Sequence, residues 1–171
     1  MNTRVETLTI TRETVITFVV LLGIATVAPL SGSQFITGSI VNATLLIAVA
    51  LLGIRDGILI GLIPSSIALA TGLLPVVLAP MIPFIIVGNA IMVVIFGYLR
   101  DKNYWLALAS GSVLKFAFLF GTSSIVANLL INEQLTEKVA VMMSWPQLVT
   151  ALAGGLLAYG FLRGTRKLEC V

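Results

Sequence analysis

The tightest constraint on this chain is a succession of apolar blocks, each close to the length that crosses a bilayer. "TVITFVVLLGIATVAPL", "GSIVNATLLIAVALLGI" and "PFIIVGNAIMVVIFGYL" contain no charged residue. They do not alternate as a half-buried strand would, and they are continuous where a water-facing helix would show a stripe. Their solvent is therefore hydrocarbon, which a backbone tolerates only if it satisfies its own hydrogen bonds. The expected fold is all-α: one integral membrane bundle of six transmembrane helices occupying residues 1–171. The spans fall at about 14–30, 37–54, 57–74, 83–99, 104–130 and 139–162. Between them lie the breaks "PLSGSQF", "RD" at 55–56, "LLPVVLAPMIP", "RDKN" and "NEQLTEK". Only 10% of the residues are charged, against about 25% in a soluble domain, so no further soluble domain is expected.

The basic residues orient the bundle. With the N-terminus in the cytoplasm, Arg4, Arg12, Arg55, Arg100, Lys102, Arg163, Arg166 and Lys167 fall inside, and only Lys138, with Glu133 and Glu137, falls outside. Both termini are then expected to be cytoplasmic, in a multi-pass protein of the cell membrane. The net charge of +3 is explained by this topology and does not call for nucleic acid. The first block has a basic flank and a T-V-A ending, features of a signal peptide. Pro29 directly after Ala28 opposes cleavage there, so a retained helix is expected.

Chemistry is short of parts. Histidine is absent and Cys170 is the single cysteine, which removes the usual zinc and nickel ligands and any disulfide within the chain. Glu6, Glu13, Asp56, Asp101, Glu133, Glu137 and Glu169 all read as loop, tail or helix-end residues. No catalytic residue, metal or cofactor is expected.

One residue contradicts its surroundings. Lys115 lies in "GSVLKFAFLFGTSS", about 17 Å into the fifth span at 1.5 Å per residue, too deep to reach either interface easily by snorkelling. A lysine there costs about 2.5–3.5 kcal/mol on insertion scales, and no intramembrane acid is available to pair with it. Its partner is expected to arrive from outside. Depth assigns companions. Ser112 and Thr122 share its helix face, at −3 and +7. Asn42, Asn89, Trp145 and Gln147 fall in the outer halves of their spans, and Pro64, Ser65 and Ser66 near mid-depth of the third. The polar groups thus gather at the middle and outer levels, above aliphatic inner halves, as a pocket open to the outside requires.

Each of these residues also has a plainer reading. Asn42, Asn89 and Gln147 suit an interhelical hydrogen bond of about 0.6 kcal/mol equally well. Ser65, Ser66, Ser112 and Thr122 suit a bond back to their own helix, and Trp145 suits an interface anchor. Gly53, Gly57 and Gly61, and the pairs Ala107/Gly111 and Ala151/Gly155, suit close helix packing.

Six spans in about 170 residues, termini inside, and a pocket in the outer half resemble the substrate-binding S-components of energy-coupling-factor (ECF) transporters. The stretches "GSIVNATLLIAVALLGIRDGILIGLIPSSIALATGLLP", "PFIIVGNAIMVVIFGYL", "LKFAFLF" and "WPQLVTALAGGLLA" carry the resemblance over most of residues 38–160. It implies capture of a vitamin-like micronutrient. It also implies association with a module of one transmembrane coupling subunit and two ATPases, since the chain has neither Walker motif. It further implies gating by the first and third outer loops, here Gln34 and the prolines Pro75, Pro80 and Pro83. The family's first helix often carries Ala-xxx-Ala for docking, whereas Gly23, Ala25 and Ala28 here lack that spacing. The absence of histidine argues against a nickel or cobalt solute.

The leading expectation is therefore solute uptake, with Lys115 meeting a carboxylate or other anionic group and Asn42, Asn89, Gln147, Trp145, Ser112 and Thr122 reading the rest. A non-transporting assembly subunit and a self-sufficient secondary carrier are the alternatives. The carrier lacks the intramembrane acid that ion coupling normally uses.

Overall fold

The computed structural model describes residues 11–70, 72, 76–129 and 140–165. The principal helices are α1 (Arg12–Val27), α2 (Gln34–Leu52), α3 (Ile54–Ala70), α4 (Ile82–Leu99), α5 (Tyr104–Leu129) and α6 (Trp145–Gly164). Short 3-10 turns occupy Ala28–Ser31 and Val76–Met81, and no strand occurs among the described residues.

Local chemistry explains where the helices stop. The Thr11 hydroxyl accepts from the Thr14 N–H and caps α1. After α1 the chain turns through Pro29 and through Gly32, whose φ of 65° is in the left-handed region. The next reversal needs a single residue, Gly53 at φ 100°. The break expected at Arg55–Asp56 thus falls earlier, because glycine supplies the turn. Arg55 and Asp56 instead enter the first turn of α3, where a carboxylate suits the helix N-terminus. The sixth span, expected from residue 139, is interrupted by a turn at Met143–Ser144. α6 proper begins at Trp145 with Pro146 in its first turn.

α2 is the centre of the bundle, packed against α1, α3, α4 and α6, while α5 packs against α4 and α6. Residues Val41 to Val49 are buried without a break, as expected of a helix with neighbours all round. Small residues let backbones approach. A Cβ on Gly154 would lie 2.8 Å from the Ser39 carbonyl oxygen, and one on Gly111 would lie 3.2 Å from that of Met92. Gly57 faces Val49 and Val93, and Gly155 faces Leu108. Gly53 differs from this group, since nothing lies within 4 Å of its Cβ position; it is needed for its φ alone. Ala25 on α1 and Ala28 just after it are buried, whereas Gly23 faces open space.

Five helical segments, Arg12–Ser31, Gln34–Leu52, Ala79–Leu99, Tyr104–Val126 and Ala140–Gly164, are long and apolar enough to cross a membrane. α3 has 17 residues, about 26 Å at 1.5 Å each, one turn short of a hydrocarbon core of about 30 Å. The chain was expected to carry α3 on to residue 74; residues 71 and 73–75 lie outside the described residues.

The two ends of the bundle differ. Arg12, Arg55, Arg100, Lys102 and Arg163 all lie at the end holding the Gly53 and α4–α5 turns. There Arg100 donates to the Val49 carbonyl at 2.8 Å, and Phe96, Tyr104, Trp105 and Tyr159 pack as an aromatic cluster. A large apolar core extends from this basic end, including Leu45, Val49, Met92, Val93, Phe96 and Leu108, and reaches Val41 and Ala28 on the cavity side. A second, smaller core of Met81, Leu119, Val126 and Met143 sits near the opposite end, between α4, α5 and the turn before α6.

Candidate binding site

A cavity of about 350 Å³ opens among the helices on the side of the Ala28–Ser31 turn. Its floor is polar. Lys115 on α5 is 3% exposed, and its Nζ donates to Asn42 Oδ1 on α2 at 2.6 Å. An ammonium has three donors, and this is its one hydrogen bond among the described residues. Asn89 on α4 borders the same cavity and is also 3% exposed. Its Oδ1 is buried without a partner. Helix register explains the juxtaposition. α4 and α5 run antiparallel with Gly88 against Leu119 and Gly111 against Met92, which brings Asn89 to the level of Lys115. Gly61 faces both Leu45 and the Cβ of Asn89, so Asn42 lies one turn nearer the mouth than the Leu45 layer.

Above the floor the walls mix apolar and neutral polar groups: Val41, Pro64, Ile85, Met142 and Met143 with Thr37 and Ser65. At the mouth, Gln34 Nε2 donates to the Met142 carbonyl at 2.7 Å, and Gln147 Nε2 reaches the same oxygen at 3.2 Å. Two amides from the starts of α2 and α6 therefore converge on one carbonyl and tie the rim. Phe35 and Trp145 pack beside this clasp, ring centroids 5.7 Å apart. Among the described lining residues there is one cation, no carboxylate and no aromatic ring.

Of the residues singled out from sequence, Lys115, Asn42, Asn89, Gln147, Gln34, Pro64 and Ser65 border the cavity. The others do not. Ser112 is fully buried with an unpartnered Oγ, one turn from Lys115 toward the basic end and so beneath the floor. Thr122 donates to its own helix, to Phe118 O at 2.8 Å. Trp145 is 59% exposed and packs on Phe35. Pro80 belongs to the Val76–Met81 turn and Pro83 to the first turn of α4; neither lines the cavity, and Pro75 lies outside the described residues. Ser33, Thr37, Met142 and Met143 were not anticipated. The first two occur in or beside the polar break "PLSGSQF", a usable signal. Nothing local distinguishes the methionines from core residues.

A bundle of lipid-length helices, with its described basic residues other than Lys115 at the end away from the cavity, defines a multi-pass membrane protein. Residues 13–161 match the family model described as "ECF transporter, substrate-specific component", and the chain belongs to that family. It is thus a substrate-binding subunit of a transporter, a class whose members are not enzymes. Comparison with curated proteins and with solved structures returned no match.

Proposed function

We propose that this subunit captures a small anionic, vitamin-like solute from outside the cell, in a pocket within the outer half of the membrane. The observation that carries this reading is Lys115. It is buried on the floor of the cavity, held by one neutral amide oxygen and faced by no acid among the described residues. A solute carboxylate accepting from Nζ there makes a charge-assisted hydrogen bond away from water, which is strong and selective. The positive-inside bias supports the orientation. Arg12, Arg55, Arg100, Lys102 and Arg163 occupy the end away from the cavity, so that end and both termini face the cytoplasm and the cavity faces out. The connection between α1 and α2, with Gln34 on the Met142 carbonyl, gates access. Release inside depends on an ECF module of a coupling membrane subunit and two ATPases.

The assembly-subunit alternative has one point in its favour: Asn42 already gives Lys115 a partner within the chain. A single amide oxygen leaves two ammonium donors, however, and a cavity beside them. Mass spectrometry of small molecules that co-purify with the detergent-solubilised protein tests the reading. A defined anion retained by the wild type and lost from Lys115→Ala supports capture. Retention of the same molecule by both proteins moves the site elsewhere, and retention of nothing from rich medium favours the assembly subunit.

A further inference from the structure

The cavity restricts what kind of anion fits it. Its lining offers two groups at the floor that still need partners: the Lys115 ammonium, which has one acceptor, and Asn89 Oδ1, which is buried without a partner among the described residues. Leaving a buried acceptor unpaired is costly, so the floor is completed only when a solute brings a donor to it. The two groups stand at one level on packed helices. Lys115 Nζ donates and so takes a carboxylate oxygen, whereas the unpartnered Asn89 Oδ1 accepts and takes an N–H or O–H donor.

The walls restrict the body of the solute. Planar aromatic ligands gain affinity from ring contacts beyond area burial. No aromatic side chain is among the described lining residues. Most aromatic residues pack elsewhere: Phe96, Tyr104, Trp105 and Tyr159 at the basic end, Phe35 with Trp145 beside the rim, and Phe116 with Phe120 along α5. Phe84 and Phe118 pack on the small core of Met81, Leu119, Val126 and Met143 without lining the cavity. What lines the walls instead is thioether, aliphatic, hydroxyl and amide. The volume of about 350 Å³ is at the small end of the range of about 300–1,000 Å³ typical of ligand pockets.

We infer that the solute is a small aliphatic carboxylic acid bearing amide or hydroxyl groups, its carboxylate accepting from Lys115 Nζ and one of its N–H or O–H groups donating to Asn89 Oδ1. Aromatic acids and cationic solutes are discriminated against, the first for want of a ring to stack on and the second by Lys115 itself. This inference rests on the capture reading above and narrows it.

Three probes test it on the full chain in lipid nanodiscs, by equilibrium titration: N-acetyl-4-aminobutanoate, its methyl ester and benzoate. The aliphatic acid is expected to bind at least tenfold more tightly than either of the others. Its affinity is expected to fall about tenfold in Asn89→Leu, with benzoate, which has no N–H to donate, unaffected by that change. If benzoate binds as tightly as the aliphatic acid while the ester stays weak, capture of an anion stands and the aliphatic class is overturned. An ester that binds as tightly as the acid, or three probes that all fail at millimolar concentration, overturns both readings. The wild-type ranking decides the question even if Asn89→Leu does not fold.

Discussion

Lys115 Nζ and Asn42 Oδ1 are 2.6 Å apart across two helices separated by 73 positions in sequence. This bond is how the bundle keeps a cation inside hydrocarbon while leaving it available. Neutral amide oxygen stabilises the ammonium without cancelling its charge, which is what the proposed capture of an anion requires.

That arrangement predicts an asymmetry. Asn42→Leu strands the ammonium and is expected to lower stability by about 1–3 kcal/mol. Lys115→Met removes the charge and leaves only an amide to satisfy, so its loss of stability is smaller while solute binding is abolished. The double variant recovers most of the stability lost in Asn42→Leu, because the stranded charge is gone. Thermal unfolding in detergent, run on all three beside the wild type, reads the difference.

The α2–α6 seam predicts a second contrast. Ala at Gly154 places a methyl group against the backbone of Ser39 and Ala43, which cannot yield as a side-chain tip does. Overpacking of this kind costs about 1–3 kcal/mol. Gly121 has nothing within 4 Å of its Cβ position, so Gly121→Ala is neutral or stabilising, by up to about 1 kcal/mol of helix propensity. The same thermal assay distinguishes the two.

At the rim, Gln34→Ala removes the 2.7 Å bond to the Met142 carbonyl and leaves the longer one from Gln147. A net hydrogen bond contributes about 0.5–1.5 kcal/mol, so exchange of bound solute should quicken by about two- to tenfold. Exchange of an isotopically labelled solute measures it. An unchanged rate would show that the clasp does not limit access.

Sidedness is checked by labelling from either side of the membrane. In a background with Cys170→Ser, a cysteine replacing the exposed Leu30 is expected to react with an impermeant maleimide added outside. A cysteine replacing the exposed Lys102 should react only after permeabilisation. The reverse pattern would invert the bundle.

Much of this architecture was legible in the sequence, because hydrocarbon demands length and apolarity, and both are written along the chain. The fifth span, expected over 104–130, is a helix over Tyr104–Leu129. Depth was legible in the same way: Lys115, Asn42, Asn89 and Gln147 border one cavity. Azimuth was not. Ser112 shares the face of Lys115 yet lies beneath the floor, and Trp145 sits near the rim but packs outward on Phe35. Which side of a helix meets which neighbour depends on close approaches such as Gly88 to Leu119, and residues distant in sequence set these. The clasp on Met142 is hidden for the same reason. Its acceptor is a backbone carbonyl, which any residue possesses, exposed to Gln34 by the turn at Met143–Ser144.

The most direct test of the central claim is a crystal structure, grown from a lipidic mesophase, of the protein carrying the solute with which it co-purifies. The account predicts an anionic group within hydrogen-bonding distance of Lys115 Nζ, at the level of Asn89 and beneath the Gln34–Met142 rim. Solute density elsewhere, with Lys115 still held by Asn42 alone beside an empty cavity, would contradict it.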